Sequence, residues 1–390
     1  MLKIFKSTWP VIIITVLACV FCTIQSVLSG TGFFDKIGGE RIPYTYYNNY
    51  IIFKNSFFNL INNKDIYQLY PKAQWDLYKY SPTFALFFGL FAYLPNFIGL
   101  LLWNLLNGVV FIWAIKKLPG LSDTKKVFIL FYVLVELIGS QQNSQSNTLM
   151  AGLIIGAFAM AERKKFIIAL LLIICSVYIK LFGLLGFSLF LFYPQKLKNV
   201  AYGVMFAIAF FLLPVVVISF HQLIFLYASW GRLLKEDNTS SVGLSIFGWC
   251  QAWFNILIPR IWVLAAGVIV FLLPFARVNY YKSLSFRYWV LASILLWVII
   301  FNHKSESPTF IIAVAGVALW FCTSRQQVAD KMLLWLVFVF TMLSQTDIFP
   351  HYLKDNFFMP YVLKAVPCIF VWFVISYSLI VNPKKYLAEI

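Results

Sequence analysis

The chain has 390 residues, of which 62% are hydrophobic and only 12% charged, with a formal net charge of +17. That balance excludes an ordinary water-soluble domain and makes lipid the main solvent. The basic excess does not indicate a nucleic-acid partner, because Lys and Arg punctuate the ends of apolar runs instead of forming one stripe, as topology signals and anionic headgroups demand.

Apolar segments of span length recur along the chain, and their side chains are apolar on every face, so each must satisfy its own backbone as a helix. The expected fold is therefore all-α: a single integral membrane domain over 1–390, a polytopic bundle of about twelve transmembrane spans. Met1–Lys6 is a short basic start, and Trp9–Leu28 shows no small-residue cleavage pattern, which predicts an uncleaved first span. Cys19 and Cys22 lie inside that run and are expected to be structural. The loop 29–81 follows, and within it Tyr50–Ile61 carries bulky apolar side chains on most of one helical face, predicting an amphipathic interfacial helix.

Further spans are predicted near 82–97, 98–115, 166–178, 181–194, 199–219, 259–276, 287–302, 309–322, 332–344 and 361–382. Basic clusters at Lys3/Lys6, Arg163–Lys165, Lys196/Lys198, Arg277/Lys282/Arg287, Arg325/Lys331 and Lys384/Lys385 then share one side, the cytoplasmic one. The loop with Lys116, Lys117, Lys125 and Lys126 should join them, yet two full spans at 82–97 and 98–115 would deliver it outside. The segment 127–162, in which short apolar pieces flank a polar run, is the expected incomplete element, a broken helical hairpin.

Three polar features stand out. Ser140–Asn147 (SQQNSQSN) interrupts apolar sequence. Lys180 is the one charge between Phe166 and Tyr193, and a lysine at a span centre costs about 2.5–3.5 kcal/mol, so it needs a partner or a route to the interface. Asn302–Pro308 (NHKSESP) gathers His303, Lys304 and Glu306, a set able to hold an anion and move a proton, although a solvated turn would read the same way.

Several motifs, in order, resemble glycosyltransferase family 87 of the C-type superfamily. Tyr67 ends the amphipathic segment; Tyr78–Leu86 (YKYSPTFAL) is similar to the family's aromatic-Lys-Tyr-Pro-Pro start of a span, and Leu102–Asn107 (LWNLLN) to the next one. Asn143–Asn147 (NSQSN) is similar to the family's Asn-Gly-Gln-x-Asn run, and Lys180 sits where the family has a lysine. The resemblance covers roughly residues 45–195 well.

The resemblance implies an inverting hexosyl transfer, mannosyl by family precedent, from a polyprenyl-phosphate-linked sugar to a glycan or glycolipid acceptor, at the extracytoplasmic face of the cell inner membrane. Tyr80, Asn143, Gln145, Asn147, Lys180 and Lys304 would bind the donor. No cofactor is required, and the set leaves room for a divalent metal ion. The family's Asp before the amphipathic segment aligns with Asn49, and an amide is no general base. The proton acceptor then falls to Asp35, Glu40 or Glu306, with His303 as a neutral imidazole alternative. Two other classes stay open: a flippase of lipid-linked sugars and a non-catalytic assembly protein.

Overall fold

The structure, a computed structural model, describes residues 7–35, 41–236, 242–256 and 258–389. It is overwhelmingly helical. The exception is a short antiparallel hairpin in the 29–81 loop, β1 (Thr31–Asp35) with β2 (Arg41–Thr45), in which Asp35 pairs with Arg41.

α1 (Trp9–Leu28) carries Pro10 in its first turn and turns two faces to different surroundings. Trp9, Ile13, Leu17, Phe21, Ile24 and Leu28 are exposed, while Thr15, Cys19, Cys22 and Ser26 are buried against the bundle. This inverts the pattern of a soluble helix, with bulk outward and small residues inward, as lipid solvent favours. Cys19 and Cys22 are buried, unbridged packing residues.

α2 (Asn48–Ile61) coincides with the predicted amphipathic helix. Its apolar face is covered by protein: Phe53 meets Tyr80, Phe84, Phe88 and Trp103 edge-on at 4.9–5.8 Å. Tyr80 stands just before α3 (Pro82–Phe87), Phe84 lies in it, Phe88 joins it to α4 (Gly89–Ala92), and Trp103 lies in α5 (Asn96–Lys117).

The expected span at 82–97 is not a through-going helix. α3 and α4 end at Ala92, and the Lys54 ammonium of α2 bonds the Leu94 carbonyl (3.0 Å) and Asn96 Oδ1 (2.8 Å). Both ends of the α3–α4 segment thus lie on α2. At about 1.5 Å per residue it is too short to cross a core of about 30 Å.

α5 then runs away from α2. α6 (Asp123–Tyr132) and α7 (Leu134–Gln142) follow almost without a break, and α8 (Asn147–Glu162) packs along α5. Glycines allow that packing: a Cβ on Gly152 would lie 2.9 Å from the Phe111 backbone nitrogen. α9 (Phe166–Ile179) and the 3-10 helix Leu181–Phe192 form a tight antiparallel hairpin. α10 (Lys196–Leu212), α11 (Phe220–Glu236), α12 (Ile246–Phe254) and α13 (Arg260–Leu272) come next. α14 (Leu284–Ile300) and α15 (Phe310–Thr323) are buried on nearly all sides. α16 (Val328–Leu336) continues into a π-helical stretch, and α17 (His351–Leu353) precedes α18 (Val366–Val381).

Among the described residues, Trp9–Leu28, Asn96–Lys117 and Lys196–Val216 are long and apolar enough to cross a membrane, and eight further apolar helices are 10–17 residues long.

A buried ion pair ties α7 to the C-terminal helices. The Lys364 ammonium lies 2.5 Å from Glu136 Oε1 and also donates to the Thr341 carbonyl at 2.9 Å. The two side chains are 2% and 4% exposed, so neither charge has water as a substitute partner. Lys364→Met is expected to cost about 3–5 kcal/mol by stranding Glu136. Thermal unfolding in detergent would show it as a fall that Glu136→Gln combined with Lys364→Met partly reverses; unchanged unfolding of the single variant would contradict it.

Candidate functional site

Three elements converge at one end of the bundle. The first is the turn between α7 and α8. Its residue Ser144 takes a positive φ of 53°, which reverses the chain, and the Trp103 indole donates to the Ser144 carbonyl at 2.9 Å. The second is the tip of the α9 hairpin. There Lys180 is extended and breaks the helix, and the arms close tightly because Gly183 faces Ser176 and Val177. A Cβ at Gly183 would lie 2.8 Å from the Val177 backbone nitrogen. Gly183→Val is therefore expected to splay the hairpin and lower the thermal stability of the protein in detergent; unfolding unchanged from the unmodified protein would show that the tip is not held this way.

The third element is the turn Asn302–Pro308. Asn302 Oδ1 accepts from the Lys304 backbone at 3.0 Å, and Ser305 Oγ donates to the Ile299 carbonyl at 2.6 Å. Gly243, at φ +52°, packs on this turn so closely that a Cβ would clash with the His303 carbonyl, and the Leu244 amide donates to the Ser305 carbonyl at 2.9 Å.

A chain of amides connects the three. The Lys180 ammonium donates to Asn147 Oδ1 at 2.6 Å. Asn147 Nδ2 donates to Gln145 Oε1 and, at 3.1 Å, to the Pro308 carbonyl. Gln145 Nε2 donates to Glu306 Oε2 at 3.0 Å. The polarity of this chain is forced, since an ammonium needs an acceptor and a carboxylate needs a donor, which fixes both amide orientations. Lys180 and Glu306 are thereby held apart yet coupled through two buried side chains.

These groups face a cavity of about 310 Å3. Its wall includes Asn49, Tyr80, Gln145, Lys180, His303, Lys304 and Glu306, all expected from the sequence. It also includes Asp76, which no sequence motif singles out, and Lys79, which belongs to the YKYSPTFAL motif but is not among the expected site residues. Lys79 stands 3.7 Å from the Asp76 carboxylate, and Trp230 of α11, which also lines the cavity, donates its indole N–H to the Lys79 carbonyl at 3.1 Å. The wall holds three lysines and two carboxylates, a net positive balance suited to a phosphate. Burial raises the Tyr80 phenol above its usual range, so it stays protonated and can donate.

The other expected residues fall differently. Asn143 does not line the cavity; its side chain is exposed and donates to the Gly139 carbonyl at 2.8 Å, while its own carbonyl accepts from Asn49 Nδ2 at 2.9 Å. Asn49 is thus an anchor between loop 29–81 and the α7–α8 turn. Asp35 ends β1, and its side chain, like the whole of Glu40, lies outside the described residues. Among the described residues no three His, Cys, Asp or Glu side chains gather as a metal site.

Beside the cavity, an apolar groove of about 530 Å3 runs between the α9 hairpin and α10. Leu181 and Trp230 line both. The groove extends along Leu184, Val200 and Val204 to Lys196 at the other end of α10.

No curated protein matches the chain. Residues 78–346 match glycosyltransferase family 87, a stretch that contains the α7–α8 turn, the hairpin tip and the Asn302–Pro308 turn. With well over half of its length matched, the chain belongs to glycosyltransferase family 87 and is a membrane glycosyltransferase.

Proposed function

We propose that the protein transfers a hexose, mannose by resemblance, from a polyprenyl phosphate to a hydroxyl of an envelope glycan or glycolipid, with inversion. The observation that carries this reading is the junction at Leu181 and Trp230, where a cationic polar cavity meets an apolar groove. A donor with a sugar phosphate on a long isoprenoid has the same two-part chemistry. Its tail would lie along α10 and its phosphate beside Lys180.

In this reading the acceptor oxygen attacks the anomeric carbon as the bond from that carbon to the phosphate oxygen breaks. The electron pair leaves on the polyprenyl phosphate, whose growing charge is met by Lys180, Lys304 and the Tyr80 hydroxyl. The acceptor proton passes to the Glu306 carboxylate, the member of the Asp35, Glu40 and Glu306 set that lines the cavity among described side chains. His303, beside it, is the imidazole alternative.

The same reading assigns about twelve crossings, with α2 at the interface and α3–α4 as the segment that turns back. Asp123–Glu162 is then a hairpin of two crossings interrupted at Asn143–Ser146. This count returns Lys116, Lys117 and Arg163 to the cytoplasmic side, and the cavity to the extracytoplasmic face of the inner membrane.

A polyprenyl phosphate carrying a diazirine on its second isoprene unit tests the assignment. Photolabelling is expected at Leu181, Leu184 and Val204, competed by unlabelled polyprenyl phosphate. Labelling confined to other helices, or none that competes, would overturn it.

A further inference from the structure

A second amphipathic site lies at the opposite end of the bundle. A groove of about 430 Å3 opens between α1 and α5, with Ile12 and Val16 on one wall and Val109, Ile112 and Trp113 on the other. Lys116, Lys117 and Arg163 close one end of it. The cations are held there: Arg163 donates from Nε and Nη2 to the Lys117 carbonyl at 3.2 Å, and the Lys116 ammonium stands 5.2 Å from the centre of the Trp9 ring. Lys126 adds a fourth charge nearby, donating to the Lys116 carbonyl at 3.2 Å.

Among the described residues no carboxylate lines this groove. Glu162, next to Arg163 in sequence, is engaged by the Arg287 guanidinium (2.5 and 2.7 Å) and the Tyr193 hydroxyl (2.6 Å). The helix α5 separates this end from Asn96 beside α2 by about 30 Å, so the groove is no part of the sugar-transfer cavity.

We propose that the groove binds an anionic phospholipid, its phosphodiester among Lys116, Lys117 and Arg163 and an acyl chain between α1 and α5. Charge complementarity selects the occupant. A soluble phosphate would leave the apolar walls uncovered, and a zwitterionic lipid would bring a cation of its own to a site already crowded with them. The inference is independent of the donor assignment.

Native mass spectrometry of the full chain exchanged against equimolar phosphatidylglycerol and phosphatidylcholine tests it. The unmodified protein is expected to retain one phosphatidylglycerol over phosphatidylcholine by at least about tenfold. K116Q/K117Q/R163Q should lose that preference. Val109→Trp, which fills the groove and spares the cations, should lose the retained lipid, while K384Q/K385Q should change nothing. Equal retention of the two lipids by the unmodified protein would overturn the proposal, as would an undiminished preference in Val109→Trp. A lipid-free dimer that the triple variant dissociates would assign the face to a second copy instead.

Discussion

Glu306→Gln is expected to lower kcat by at least about a hundredfold while leaving the donor KM nearly unchanged, the signature of lost general-base help. The substitution is close to isosteric, and the new amide oxygen can still accept from Gln145 Nε2, as Glu306 Oε2 does at 3.0 Å. Basicity is what disappears. Asp76→Asn is the necessary companion, because Asp76 is a second carboxylate on the same wall. If Asp76→Asn abolishes turnover and Glu306→Gln does not, the base is Asp76. Asn49→Asp should not raise activity, since a carboxylate there would face the Asn143 carbonyl that Asn49 now donates to. A large gain would contradict the assignment of Glu306.

Lys180→Ala is expected to reduce kcat/KM for the lipid donor by about a hundredfold or more, against no change for Lys384→Ala. The ammonium sits at a hairpin tip, half-buried, with Asn147 Oδ1 at 2.6 Å as a neutral partner. Its charge is therefore not consumed by a carboxylate in direct contact. A cation held in a water-poor site beside a leaving phosphate stabilises charge that forms only as the bond breaks. Lys180→Arg should recover part of the loss. Equal activity of Lys180→Ala and Lys384→Ala would reduce Lys180 to a lysine that merely reaches the interface.

Much of this site was legible in sequence because polar residues are costly in apolar surroundings. Lys180, Gln145, Asn147 and Glu306 announced themselves in that way, and all four meet in one hydrogen-bonded chain. Asp76 did not, because it lies in a loop rather than in an apolar run, where a single charge carries no signal. It meets the rest of the cavity wall only through the fold, which also brings Trp230 to the Lys79 carbonyl, 151 positions away in sequence. Asn143 shares that polar run yet lies off the cavity wall: a polar run gives one collective signal, whereas the turn aims Gln145 inward and Asn143 outward.

The span at 82–97 was misjudged because apolar composition does not record whether a helix continues or folds back. The deciding contacts, from Lys54 to Leu94 and Asn96, are long-range. The Glu136–Lys364 pair was invisible for the same reason, its partners being 228 residues apart.

The most direct test of the account is to incubate the purified protein in liposomes with polyprenyl-phosphate mannose and a glycolipid extract, and to analyse the lipids by mass spectrometry. A glycolipid one hexose heavier is expected, with an inverted anomeric linkage and release of polyprenyl phosphate, formed at least about a hundredfold more slowly with Glu306→Gln. Movement of the intact donor across the bilayer without any new glycosidic bond would contradict it.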